Sequence, residues 1–169
     1  MRRIMIAFLT CALLTACGNE PAQTSGPGSE SGGQEGGQGG AQEAATVQVA
    51  SSNFGDILVD AEGMTLYMFV PDQQKGGQPT CFGECAQAWP ALTASGEPTV
   101  GAGLEEAQVG TAERKDGTTQ VTYNDLPLYH FSGDKAAGDT NGQSLNDVWW
   151  VVSTSGKPVR AKAGGGDQY

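Results

Sequence analysis

Two six-residue segments bring the same proton-bearing side chains together at the same spacing: Tyr67-Met68-Phe69-Val70-Pro71-Asp72 and Tyr129-His130-Phe131-Ser132-Gly133-Asp134. Each holds a phenol, a second ring two residues on and a carboxylate three residues after that. On an extended strand, residues two apart point to one face, so Tyr67 pairs with Phe69 and Tyr129 with Phe131. Asp72 and Asp134 fall just past the strand ends, where a carboxylate can accept hydrogen bonds from turn amides. Two chemistries are open. The rings can be core pairs and the aspartates turn-fixers, or the four rings can form a binding face for a glycan or another apolar-faced ligand, with the aspartates holding its polar groups.

A second set is sulfur-based. Cys81 and Cys85, with three residues between them, can close a short disulfide. With His130, Met64 and Met68 they could also supply a soft ligand set for Cu(I), or act as a thiol-redox pair. His130 is the only histidine. Flanked by Tyr129 and Phe131 on a strand, it is expected to face away from them, toward solvent. Asp134, Asp139 and Asn141, flanked by Gly138 and Gly142, are an oxygen-rich run that suits a hard cation or an ordinary turn. Sequences that carry catalysis, such as Gly-x-Ser-x-Gly, His-Glu-x-x-His or a phosphate-cradling loop, do not occur. The chain is therefore expected to be non-enzymatic and to need no cofactor.

The elements that must position these residues follow from a mostly two-residue hydrophobic period with tight turns. Ile57-Leu58-Val59 and residues 64–69 flank Asp60-Ala61-Glu62-Gly63 as a hairpin. Residues 109–115 and 118–123 flank Asp116-Gly117, a dipeptide suited to a type I′ turn. Residues 126–131 make a further strand after a turn at Asn124-Asp125, and residues 149–153 a last one. Only residues 83–89 look helical. Residues 66–72 align with 128–134, and 89–96 with 149–156, at offsets of 62 and 60. The expected fold is mainly β: two pseudo-repeated small antiparallel units sharing one core, with one short helix. Trp149 and Trp150 are adjacent on a strand, so one is expected to face the core and the other to mark a contact surface.

Around that domain, expected over residues 46–163 with a short tail at 164–169, the composition changes sharply. Arg2 and Arg3 precede an apolar run too short to span a bilayer, and small residues lead to Cys17, the layout of an export signal over residues 1–16. Residues 17–45 are mostly Gly, Ser, Gln, Glu and Pro without an aromatic, a tether whose flexible reach is about 30 Å. Loss of the signal leaves seven of nine Lys plus Arg against nineteen Asp plus Glu, a formal −12. That balance argues against nucleic acid and against electrostatic docking on anionic lipid. Outside the reducing cytoplasm, Cys81 and Cys85 are expected to be oxidised.

Leu14-Thr15-Ala16-Cys17 resembles the lipobox of bacterial lipoproteins, which implies lipidation of Cys17, palmitate included, and anchoring in the cell membrane or the outer membrane. The paired Tyr-x-aromatic-x-x-Asp motifs resemble those of the tandem secreted-repeat lipoproteins. So does the run from Cys81 to Pro90, and so does Asp116-Gly117-Thr118-Thr119-Gln120-Val121-Thr122-Tyr123 continuing through Leu126-Pro127-Leu128-Tyr129. Asn124-Asp125 stands where such sequences often carry Asn-Gly. The resemblance implies export, anchoring through the lipid and tandem β units. It implies no chemistry and names neither a ligand nor an envelope partner.

Overall fold

Short runs that are apolar on every residue, not on alternate ones, dictate the centre of this fold, because a strand with no polar face must be covered on both sides. The computed structural model describes residues 44–161; the export signal, Cys17, nearly all of the tether and the C-terminal tail lie outside the described residues. Among the described residues, eight strands form three small sheets. Strands β1 (Thr46–Ser52), β2 (Gly55–Val59) and β4 (Thr99–Val100) lie in the order β2-β1-β4. Strand β3 (Tyr67–Phe69) pairs with β8 (Trp149–Val151). Strands β5 (Val109–Glu113), β6 (Thr119–Tyr123) and β7 (Leu126–Pro127) make the third sheet, in chain order. All strand pairings are antiparallel except β1 with β4.

The fold is mainly β, as the hydrophobic period requires. Two short helices stand where the sequence showed one. Helix α2 (Glu84–Ala88) falls inside the expected segment, and α1 (Val70–Gln74) starts at the Val70-Pro71 step, where proline suits a first helical turn. The Asp116-Gly117 hairpin forms, but not through the expected turn. Gly117 alone has positive φ there, and Arg114 closes the loop on Gly117 and Thr118. Positive φ at both central residues occurs instead at Asn124 (47°) and Asp125 (61°), the two-residue link from β6 to β7.

The central strands separate two cores. Tyr67, Tyr129, Trp149 and Val151 pack on one side with Ile57, Val59, Cys81 and Trp89. Leu66, Met68, Leu128, Trp150 and Val152 pack on the other with Val47, Leu58, Val121 and Tyr123. This overturns the expectation that one of Trp149 and Trp150 is exposed. They do point to opposite faces, but each face has its own core, and both indoles are 3% exposed. Arg160 lies over the Trp150 ring at 4.9 Å.

The repeats are interleaved. Strand β3 comes from the first and β8 from the second, with Tyr67 opposite Val151 and Phe69 opposite Trp149. Neither half owns its own central sheet.

Candidate functional site

The motif residues converge at the junction of the repeats. Tyr67 and Tyr129 face each other through reciprocal main-chain bonds: Tyr67 N–H to Tyr129 C=O at 2.8 Å, and Tyr129 N–H to Tyr67 C=O at 2.9 Å. Their side chains then exchange partners. The Tyr67 hydroxyl donates to Asp134 Oδ2 at 2.7 Å, and the Tyr129 hydroxyl donates to Asp72 Oδ2 at 2.6 Å. Each phenol reaches the carboxylate of the other copy.

The remaining carboxylate oxygens are equally committed. Asp72 Oδ1 accepts from the Thr80 N–H at 2.8 Å and from the Thr80 hydroxyl. Asp134 Oδ1 accepts from the Asn141 N–H at 2.9 Å. Asp139 takes the Lys135 and Ala136 N–H groups. The oxygen-rich run at 134–142 is thus wound on its own amides as a turn. Gly142 donates to the Tyr67 hydroxyl oxygen at 3.2 Å, and a Cβ there would stand 2.8 Å from the Tyr67 and Trp89 rings, so only glycine fits.

Rings close the junction with the same exchange. Phe69 stacks on Trp149 at 4.1 Å, Phe131 lies against Trp89 at 4.4 Å, and Trp89 and Trp149 stack on each other at 3.8 Å with planes 4° apart. Tyr67 meets Trp89 edge-on at 5.4 Å and Tyr129 meets Trp149 at 5.3 Å. Pairs of this kind contribute roughly 0.5–1.5 kcal/mol each beyond the area they bury.

Burial sets the protonation of this cluster. It pushes the Tyr67 and Tyr129 phenols far above their ordinary value, and the adjacent Asp134 and Asp72 carboxylates push them further. Burial also raises Asp72 and Asp134, against the opposing pull of Thr80 and Tyr129 on one and of Tyr67 and Asn141 on the other. The phenols keep their protons, and every oxygen of the two carboxylates is taken by a donor within the fold. The idea of a binding face through Tyr67, Asp72, Tyr129, Asp134, Trp149 and Trp150 is corrected by their burial: none of them exposes more than 6% of its surface. Of the motif residues, Phe69 and Phe131 alone are partly exposed.

Cys81 and Cys85 form a disulfide with Cα atoms 5.3 Å apart. His130 does face away from its ring neighbours, but it is partly buried and holds Asp60, Nε2 to Oδ2 at 2.8 Å, instead of standing in solvent. Burial alone would raise Asp60; the His130 contact and the Met64 and Glu62 amides outweigh it and hold the carboxyl below its ordinary value. With both sulfurs spent on each other, Met68 in the core and His130 on Asp60, the copper set does not assemble. No cluster of three or more His, Cys, Asp or Glu suited to a metal exists among the described residues.

One residue of consequence escaped the sequence reading. Arg114, 5% exposed, donates to Gln120 Oε1 and, at 2.9 Å, to the Cys81 carbonyl, and it lies 4.5 Å from the Phe82 ring centroid. It fastens the disulfide segment to β6. The only signal was a charged residue next to a hairpin turn, which a solvated arginine gives equally well.

Residues 48–93 and 110–153 each match the family model described as a secreted repeat of unknown function. The two matches contain one motif apiece and divide the chain where the structure places its two interleaved copies. No curated protein and no solved structure matches the chain.

Proposed function

The chain belongs to the family of secreted repeats of unknown function, and from that premise we propose that it is a lipid-anchored, non-enzymatic binding module of a bacterial cell envelope. The observation that carries this reading is the closure of the motif on itself. All four polar side chains of the two motifs are buried and bonded across the repeats, so the groups best able to do chemistry hold the architecture together. A rigid β scaffold of this kind presents surface rather than a reaction centre. Cys17 supplies the anchor, and the residues from 17 to 45 form a tether that carries the scaffold clear of the lipid. A formal charge of −12 after loss of the signal keeps the scaffold off anionic headgroups.

Metabolic labelling with an alkyne fatty acid, followed by membrane fractionation, tests the anchor. The wild-type chain is expected to take up label and sediment with membranes, and Cys17→Ser to do neither. Unlabelled wild-type chain in the soluble fraction would overturn the reading.

A further inference from the structure

We propose that the outer edge of β5 is a docking site for an extended peptide with Lys or Arg at alternate positions, which joins the sheet as an added strand. The inference rests on the binding-module reading and gives it a site and a ligand class.

The hydrogen-bond pattern of β6 identifies the open edge. Val121 donates to Leu92 C=O at 2.8 Å, Leu128 donates to Val121 C=O at 3.0 Å and Ala94 donates to Thr119 C=O at 3.0 Å. These residues therefore turn their main-chain groups away from β5. Pairing with β5 runs through the residues between them, and Asn124 N–H to Gln108 C=O and Arg114 N–H to Thr118 C=O continue the same ladder beyond the strand ends. Main-chain groups alternate sides along a strand. Those of Val109, Thr111 and Glu113 thus point to the other edge. There the Val109 N–H is used by Glu106 C=O. The Val109 carbonyl, both main-chain groups of Thr111 and the Glu113 N–H have no hydrogen-bond partner among the described residues. Donors and acceptors two residues apart are what an incoming strand requires.

Edges left like this are commonly blunted by lysine, proline or a bulge. The β5 sequence Val109-Gly110-Thr111-Ala112-Glu113 carries neither lysine nor proline. Over one face of this sheet lies a groove of about 660 Å³, lined by Val109, Thr111 and Thr119 and by residues 94–99. Val109, Thr111 and Glu113 share one face of the pleat, so alternate side chains of an added strand would stand on the face that carries the groove.

Charge decides the occupant. Glu97 and Glu106 line the groove and no Lys or Arg does. Glu113 follows Thr111 on the same face. A second copy of this chain would set the same carboxylates against these. A cationic strand would place its alternate side chains between them while its backbone pairs with Thr111.

The test uses the exported full chain and a fluorescein-labelled peptide of alternating Lys and Val, seven residues long by design, read by anisotropy at low salt. Thr111→Pro removes an edge N–H without touching the β5–β6 ladder. It is expected to weaken binding roughly tenfold with little change in the unfolding midpoint. The combined Glu97→Gln, Glu106→Gln variant keeps the edge and is expected to lose most of the salt dependence. Alternate N-methylation of the peptide, which needs no change in the protein, should abolish binding. Equal binding to the Thr111→Pro variant, or to the N-methylated peptide, would overturn strand addition. Equal binding of a Glu-Val peptide would overturn the basic ligand class. If the Lys-Val peptide fails but a photo-crosslinker on Phe69 or Phe131 still captures one defined envelope protein, the edge proposal is wrong and the module reading survives. If neither occurs, both fall.

Discussion

Removing the Tyr67 hydroxyl should weaken the second repeat as much as the first, because its partner is Asp134. In Tyr67→Phe the Asp134 carboxylate loses a 2.7 Å donor and the Gly142 N–H loses its acceptor, in a site where Tyr67 is 0% and Asp134 6% exposed. Water cannot replace either bond without opening the core. A charge-assisted bond of this kind is worth about 1.5–3 kcal/mol, and a stranded amide adds about 1 kcal/mol, so a loss of about 2.5–4 kcal/mol is expected. Asp134→Ala strands the Tyr67 hydroxyl and the Asn141 N–H and should cost a similar amount. The double variant counts the shared bond once, which predicts a coupling energy of about 1.5–3 kcal/mol. Urea unfolding followed by tryptophan fluorescence and far-UV circular dichroism measures all four corners, with coincident curves expected because the pair spans both repeats. The control cycle takes Tyr67 and Asp72, which share a motif but no hydrogen bond, and should give coupling below about 0.5 kcal/mol. The same small value for Tyr67 with Asp134, or separate transitions for the two probes, would refute the exchange of partners.

Cys81→Ser with Cys85→Ser opens a very short loop, so chain entropy gives a destabilisation of about 2 kcal/mol, read from the urea midpoint, with native near-UV dichroism retained. Asp125→Gly relieves a non-glycine φ of 61° in the β6–β7 turn and is expected to raise stability by about 0.5–1 kcal/mol in the same assay. The raised phenols of Tyr67 and Tyr129 contribute stability that is complete below the free tyrosine value of about 10 and is lost as pH rises above it toward their native values; absorbance at the phenolate band should show them ionising only with unfolding, and Tyr67→Phe with Tyr129→Phe should flatten the alkaline fall in midpoint. Asp72 and Asp134 act with the same sign at the other end of the scale. Their stabilisation is complete below the ordinary aspartate value and fades as pH rises through their raised native ones, so Asp72→Asn should make the midpoint less pH-dependent in mild acid. Residues 44–102 and 103–169 expressed apart should each lack native near-UV dichroism and recover it on mixing; cooperative unfolding of either fragment alone would contradict the interleaving.

Local features were legible because local chemistry decides them. The β5–β6 hairpin follows from two alternating runs around a glycine, the disulfide from an even pair of cysteines in an exported chain, and the tandem plan from the repeated ring-and-carboxylate motif. The features that escaped depend on what lies opposite. Strand β1 opens with Thr46-Val47-Gln48-Val49, a polar–apolar alternation that runs straight out of the tether, and β2 and β4 pair with it on either side. Alternation correctly put Trp149 and Trp150 on opposite faces, but it could not reveal a second core. The signal for that core was present in Leu66-Tyr67-Met68-Phe69 and Trp149-Trp150-Val151-Val152, where no polar residue marks a wet face. The paired positive φ angles at Asn124-Asp125 were hidden by the stronger dipeptide signal at Asp116-Gly117.

The exchange of partners explains why the motif stands twice in one chain. Each copy buries a phenol and a carboxylate, and within one copy they do not bond: Tyr67 is five residues from Asp72 in sequence, yet it reaches Asp134. A solitary copy would bury a hydroxyl without its acceptor and a carboxylate oxygen without its donor, at about 1–3 kcal/mol for each. It would also lack the strand that pairs with its own central strand. Small domains have little stability to spare, so that deficit is comparable to the whole margin of folding. Duplication supplies the missing half in cis, at a fixed offset, without an assembly step. The interior is therefore constrained by its own twin, with little freedom for substitution. Variation useful to function is left to the surfaces this interior holds in place, the open edge of β5 among them.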